Sequence, residues 1–301
     1  MTTARDQYAS GTPTQMTHFD DIYDQPDPRA YFGALGTLGY QTPHHAQGVF
    51  RSLLPLAGLS GVPQRPADEQ EGGPRATLLD ICCSYGINAA LLNHHVTLEE
   101  LYEHYTSPQI ARLTTAELIE SDRTYYAARR RPDAVPVIGL DIASSAIAYG
   151  RAAGLLDAGF VENLEVAAPS PALYRATRGT RLITVTGGAS FLSTRTFRPL
   201  LEGRQDPPWI ATFVLRTGSY QHIADGLALL GLTTEKDASR TYPQRRFTDV
   251  DEQRYAIAAV SAAGDDPRGK ETDGHFHTAL HLTRPTAQAV ARPLHTLLPE
   301  D

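Results

Sequence analysis

The chain has 301 residues, 41% of them hydrophobic, enough apolar material for one large core or for one core with an appendage. Its 27 basic and 34 acidic residues leave a net charge of -7, which lacks the basic footprint of a nucleic-acid or anionic-membrane binder and makes a small molecule the expected partner. The only two cysteines, Cys82 and Cys83, are adjacent, so a disulfide framework is excluded.

The opening stretch is polar, with no signal-peptide core, and no window approaches the length of a membrane span. With reduced thiols, this predicts a cytoplasmic protein without a membrane partner, working as a monomer or homodimer. Residues 1–15 are expected to be disordered. From "THFDDIYDQPDPRAYF" to Leu59, aromatic and aliphatic residues are interrupted by Pro26, Pro28, Gly36, Gly39 and Pro43, which predicts short helices. The stretch "SGVPQRPADEQEGGPRA" reads as a linker and places a boundary near residue 72. Residues 1–72 are thus an N-terminal helical extension and a candidate lid.

Beyond the linker, strands alternate with helices. "ATLLD", "PVIGLD", "RLITVTG" and "WIATFVLR" are short β-preferring runs, each followed by a turn and a helical stretch. This predicts an α/β domain over 73–285, with a mostly parallel sheet and helices on both faces. "HFHTALHLTRP" supplies a last strand, and 286–301 a polar tail. Residues 94–134 are too long for an ordinary connection. Two capping-box patterns, Thr97 to Glu100 and Thr114 to Glu117, predict two inserted helices carrying Tyr102, Tyr105, Tyr125, Tyr126 and Arg129–Arg131. Packing onto the sheet is the expected role of these tyrosines, a lid the alternative.

In "ATLLDICCSYGINAALL" a strand ends in an acid, Asp80, and turns at once into a helix through small residues and Gly86. Such a turn lets backbone approach a ligand at the sheet's carboxyl edge. A second strand ends in Asp141, the position where a carboxylate holds ribose hydroxyls in nucleoside sites. Taken in order, "LLDICCSYG", "VIGLDIASSAIAYGRAAG" and "RLITVTGGASFLS", followed by "WIATFVLR", resemble the first, second and fourth motifs of class I S-adenosylmethionine-dependent methyltransferases.

The resemblance implies a Rossmann-like, seven-stranded class I methyltransferase fold with S-adenosylmethionine as cosubstrate. Asp80 would face the methionine ammonium, and Cys82, Ser84 and Gly86 would occupy the family's three glycine places. Asp141 would bind the ribose, Ile142 would lie against the adenine, and Thr186, Gly187 and Gly188 would open onto the reacting centre. Two of the three glycines are replaced, and the acid usual after the third strand is missing from "VENLEVAAPS" unless Glu165 serves. Tyr126, Tyr40 and Tyr23 are candidate catalytic residues, and Tyr31, Gln41 and Ser190 candidate substrate contacts.

The expected activity is methyl transfer to a small molecule, a metabolite or natural-product intermediate. One alternative is cyclisation of the cofactor's own amino-acid moiety with release of methylthioadenosine, as in azetidine-2-carboxylate synthases. Another is a non-catalytic cofactor-binding module. A dinucleotide is disfavoured because pyrophosphate requires bare glycines where "CCSYG" carries side chains. "DPPW" (206–209) leads into the fifth strand and reads as a turn. The cysteines read as apolar fillers before nucleophiles. His275, His277 and His281 lack a second ligand set, so no metal is expected, and His44, His45, His94 and His95 read as surface or capping residues.

Overall fold

The computed structural model describes residues 16–17, 19–59 and 75–298. The expected disorder of 1–15 and the boundary near residue 72 lie outside them. The extension contributes helices α1 (Arg29–Thr37) and α2 (Thr42–Leu56). Then follow β1 (Thr77–Ile81), α3 (Ile87–Asn93), the inserted helices α4 (Leu98–Thr106) and α5 (Thr115–Ala127), β2 (Val137–Asp141), α6 (Ser144–Ala152) and β3 (Ala158–Val161). The second half runs α7 (Pro171–Ala176), β4 (Thr180–Val185), α8 (Thr194–Leu201), β5 (Trp209–Leu215), α9 (Gln221–Ala228), β6 (Leu232–Lys236), β7 (Tyr242–Arg246), α10 (Val250–Ala262), β8 (His275–Pro285) and α11 (Thr286–Ala291).

The strand order is β3-β2-β1-β4-β5-β8-β6, with β7 also paired to β8. The first five strands are parallel, and β8 runs antiparallel to its neighbours. This is one strand more than the sequence predicts, because the outer edge is interrupted. β6 pairs with residues 281–285 of β8 and β7 with 275–278. Between them the chain leaves the ladder at Asp237, whose carboxylate accepts the Ser239 N–H at 2.9 Å in an Asx-type turn.

Central position explains the apolar character of β1 and β2, in which all ten residues are buried. In β1 Leu78 joins a core shared with α1–α6, while Leu79 and Ile81 face the core beneath α7, α8 and α9. The predicted polar tail instead begins with α11 and then buries Leu294, Leu297 and Leu298 in the first core. Among the described residues no helix is long and apolar enough to cross a membrane.

Both capping boxes form as predicted. The insert is held by Asp122, fully buried, which accepts hydrogen bonds from Tyr105 Oη at 2.5 Å and from Tyr149 Oη of α6, and lies 2.8 Å from His104 Nε2. It also supports the extension. Asp27 accepts from Arg29 and from Thr115 Oγ1 (2.7 Å), and the Tyr102 hydroxyl donates to the Tyr40 carbonyl at 2.7 Å. Removing the Asp122 carboxylate strands several buried polar partners, so Asp122→Ala should lower the unfolding free energy by about 3 kcal/mol. Urea denaturation of the variant and its parent measures the loss.

Candidate active site

The turn after β1 is built from side chains in conformations that glycine normally supplies. Cys82 (φ 56°), Ser84 (φ 49°) and Gly86 (φ 83°) all lie in the left-handed region, at the three alternate places proposed for glycine. Each non-glycine residue held there costs on the order of 1–3 kcal/mol, and the neighbouring strands hold it in place. The Ser84 N–H donates to Asp141 Oδ2 at 2.8 Å, and the Cys82 N–H donates to the Leu140 carbonyl at 2.9 Å.

Glycines opposite make room for the substituted turn. A Cβ on Gly188 would lie 2.3 Å from Cys82 Sγ, and one on Gly139 would lie 2.8 Å from Cys83 Sγ. The side chains of the turn thus fit against glycines of β2 and of the loop after β4. Burial, reinforced by Asp141 and Asp80, pushes both thiols well above their usual pKa, which agrees with fillers rather than activated nucleophiles.

Asp141 ends β2 and lines the cleft, its Oδ1 accepting the Ala143 N–H at 3.0 Å. Asp80 does not reach it. Fully buried, Asp80 accepts from Thr184 Oγ1 (2.7 Å) and from Asn88 Nδ2 (2.9 and 3.1 Å), and the same Asn88 amide contacts Thr186 Oγ1 at 3.0 Å. Asn88 and Thr186 line the cleft in its place. Burial, the dominant influence, pushes the Asp80 carboxyl up to about 7 despite these bonds.

The cleft opens above the carboxyl ends of β1, β2 and β4. Its floor is Cys82 to Ser84, Asp141, Thr186 to Gly188 and Ser190. The extension forms its cover through Phe19, Asp20, Tyr23, Tyr31 and Tyr40, and no residue of the insert lines it. Tyr31 makes edge contacts with Tyr23 (5.6 Å between centroids) and Tyr40 (6.5 Å). Burial raises the pKa of all three phenols, that of Tyr40 to about 12, so all three are neutral hydroxyls near neutral pH.

Four expected contacts lie elsewhere. Tyr126 is buried in the insert, 2.9 Å from Tyr105 Oη. Gln41 faces an outer groove; its N–H donates to the Gln244 carbonyl at 2.7 Å and its side chain meets His45. Gly86 is the cap of α3, packed beneath Leu155 and Leu156, and Ile142 is half-buried outside the cleft lining. Glu165 accepts from Ser193 and Thr196 at the start of α8. Among the described residues no group of three His, Cys, Asp or Glu is placed to hold a metal ion. Trp209 begins β5, at the strand end away from the cleft, and donates to Gln288 Oε1 at 2.7 Å.

The sequence reading missed Phe19, Asp20, Asn88, Phe191, Gln244 and Arg245, all of which line the cleft. A polar Asn88 within the otherwise apolar start of α3 was the available signal. Gln244 and Arg245 come from β7, whose sequence "YPQRR" has no apolar alternation. Arg245 is buried and bidentate on Glu252, at 2.9 and 2.7 Å, beside the rings of Phe19 and Phe276. Glu252 also accepts the Thr17 N–H at 3.0 Å, and its hydrogen bonds with Arg245 and backbone hold it down to about 2 against the opposing effect of burial.

The sheet has the strand order of a class I methyltransferase fold. No family model matches the chain, and no curated protein does. Among solved structures, a functionally unknown protein from Deinococcus radiodurans R1 is 14% identical with a TM-score of 0.37, over 79% of this chain and 98% of that one. The plantazolicin methyltransferase BpumL, solved with SAH, is 11% identical with a TM-score of 0.36, over 88% of this chain and 92% of its own. Such distant likenesses leave the fold assignment resting on the strand order itself.

Two stability measurements check this geometry. An unfolded carboxyl titrates near 3.9, so ionising Asp80 costs nothing in stability below about pH 4, and the cost grows until the pH passes about 7. Denaturation of Asp80→Asn should therefore show its stability relative to the parent improving by about 3 kcal/mol between pH 5 and pH 8. Ser84 carries a buried hydroxyl without a hydrogen-bond partner. Ser84→Gly should accordingly stabilise the chain by about 1 kcal/mol, read from its urea midpoint.

Proposed function

We propose that the chain is an S-adenosylmethionine-dependent methyltransferase acting on a small molecule, a metabolite or natural-product intermediate. The observation that carries this reading is the left-handed turn of Cys82, Ser84 and Gly86, tied through the Ser84 N–H to an Asp141 carboxylate that lines the same cleft. Asp141 is suited to accept hydrogen bonds from ribose hydroxyls. The Cys82 and Ser84 side chains occupy the approach that a pyrophosphate would need, which favours a nucleoside cofactor without one.

The chemistry asks the protein mainly for alignment and exclusion of water. The acceptor's lone pair forms a bond to the methyl carbon, the carbon–sulfur bond breaks, and its electrons remain on sulfur as the neutral thioether. Phe19, Tyr23, Tyr31 and Tyr40 line the cleft from the side of the extension. A tyrosine face presented to the sulfonium contributes about 0.5–2 kcal/mol by cation–π attraction. Because burial keeps these phenols protonated, they serve as hydrogen-bonding walls rather than as phenolate bases, and the acceptor is a group already nucleophilic at neutral pH.

Calorimetric titration with S-adenosylmethionine tests the reading. The parent should bind, and Asp141→Ala should bind at least tenfold more weakly, a loss of about 1.4 kcal/mol or more. Equal binding by both, or preference for a dinucleotide, contradicts the assignment. With acceptor present, mass spectrometry should detect S-adenosylhomocysteine; methylthioadenosine formed from the cofactor alone indicates cyclisation instead.

A further inference from the structure

A second lobe lies beside the cleft, over the carboxyl ends of β4 and β5. It shares Met16, Thr186, Gly187, Ser190, Leu215 and Gln244 with the first lobe, so the two adjoin across these residues. The lobes differ in charge. Asp20, Asp141 and the Arg245 side of the Arg245–Glu252 pair face the first, whereas no Asp, Glu, Lys or Arg lines the second, where His222 is the sole ionisable group among the described residues. The rest of its lining is aliphatic, aromatic, thioether, hydroxyl, backbone or the Gln244 amide.

Gln244 stands where the lobes meet. Its side chain is more than nine-tenths buried, and its Oε1 has no hydrogen-bond partner. A buried carbonyl left without a donor is destabilising, and the main-chain carbonyl of the same residue is already engaged, accepting the Gln41 N–H at 2.7 Å. Placing a charged ligand in this lobe would strip its hydration without supplying a counter-charge. A neutral ligand with an N–H or O–H group incurs no such cost, and turning the Gln244 amide toward the lobe brings Oε1, enclosed as it stands, within reach of that donor.

The geometry points to the second lobe as the site of an uncharged methyl acceptor, with Gln244 as a specificity-determining residue that accepts a hydrogen bond from it. This rests on the methyltransferase reading, which fills the first lobe with the cofactor. The acceptor is therefore a neutral molecule carrying at least one hydrogen-bond donor, not a carboxylate, a phosphate or an ammonium ion.

Ligand-detected NMR on the full chain, saturated with S-adenosylhomocysteine, tests this with four probes of similar size: benzamide, toluene, benzoate and benzylammonium. Benzamide should bind at least tenfold more tightly than the other three. In Gln244→Leu its advantage over toluene should disappear while toluene binding remains, which shows that the lobe is still formed. Charged probes binding as well as benzamide, an advantage that survives in Gln244→Leu, or no binding of any probe overturns the subsite. If S-adenosylhomocysteine itself fails to bind, the cofactor reading falls first and takes the acceptor site with it.

Discussion

The hydrogen bond from the Ser84 N–H to the Asp141 carboxylate joins the ends of the two central strands on which the cleft is built. The bond requires Ser84 in a left-handed conformation that a side-chain-bearing residue adopts only at a cost. The fold absorbs that cost locally. Gly188 and Gly139 leave space for the thiols of Cys82 and Cys83, and Asp141 also accepts from Ala143, which fixes its carboxylate at the cleft. The turn therefore follows a glycine-like backbone path with side chains at two of its three left-handed positions.

The site has two layers of polar groups with different tasks. Asp80, Thr184 and Asn88 form a buried layer whose carboxyl is held near neutrality in its titration, and it sets the position of Asn88 and Thr186 at the surface of the cleft. Asp141 and Gln244, themselves largely buried, line the space directly, one in the first lobe and one between the two. The cover belongs to the extension, and the insert acts through it. Asp122 locks the inserted helices together, and these in turn hold α1 through Asp27, Thr115 and Tyr102.

Much of the frame was legible in the sequence because parallel strands buried on both faces read as continuous apolar runs, and acids at their ends are conspicuous. The four principal strands, both capping boxes and the turn residues were found this way. What the sequence concealed depends on distant chain segments meeting. The edge strand broken at Asp237 reads as polar loop, so Gln244 and Arg245 carried no strand signal. Tyr126 resembles Tyr23 and Tyr40 in type, but an i, i+4 relation to Asp122 on α5 places it in the insert's interior instead. Asp80 was expected at the ligand, and only the packing of α3 shows that Asn88 intervenes.

The account depends most on the cofactor occupying the lobe between the turn and the extension. Amide hydrogen exchange with and without S-adenosylhomocysteine tests that directly. Slowed exchange should be concentrated in residues 82–88, 141–143 and 19–31, with the inserted helices α4 and α5 unaffected. Protection confined to other segments, or none at saturating ligand, would contradict the placement of the cofactor and the function built on it.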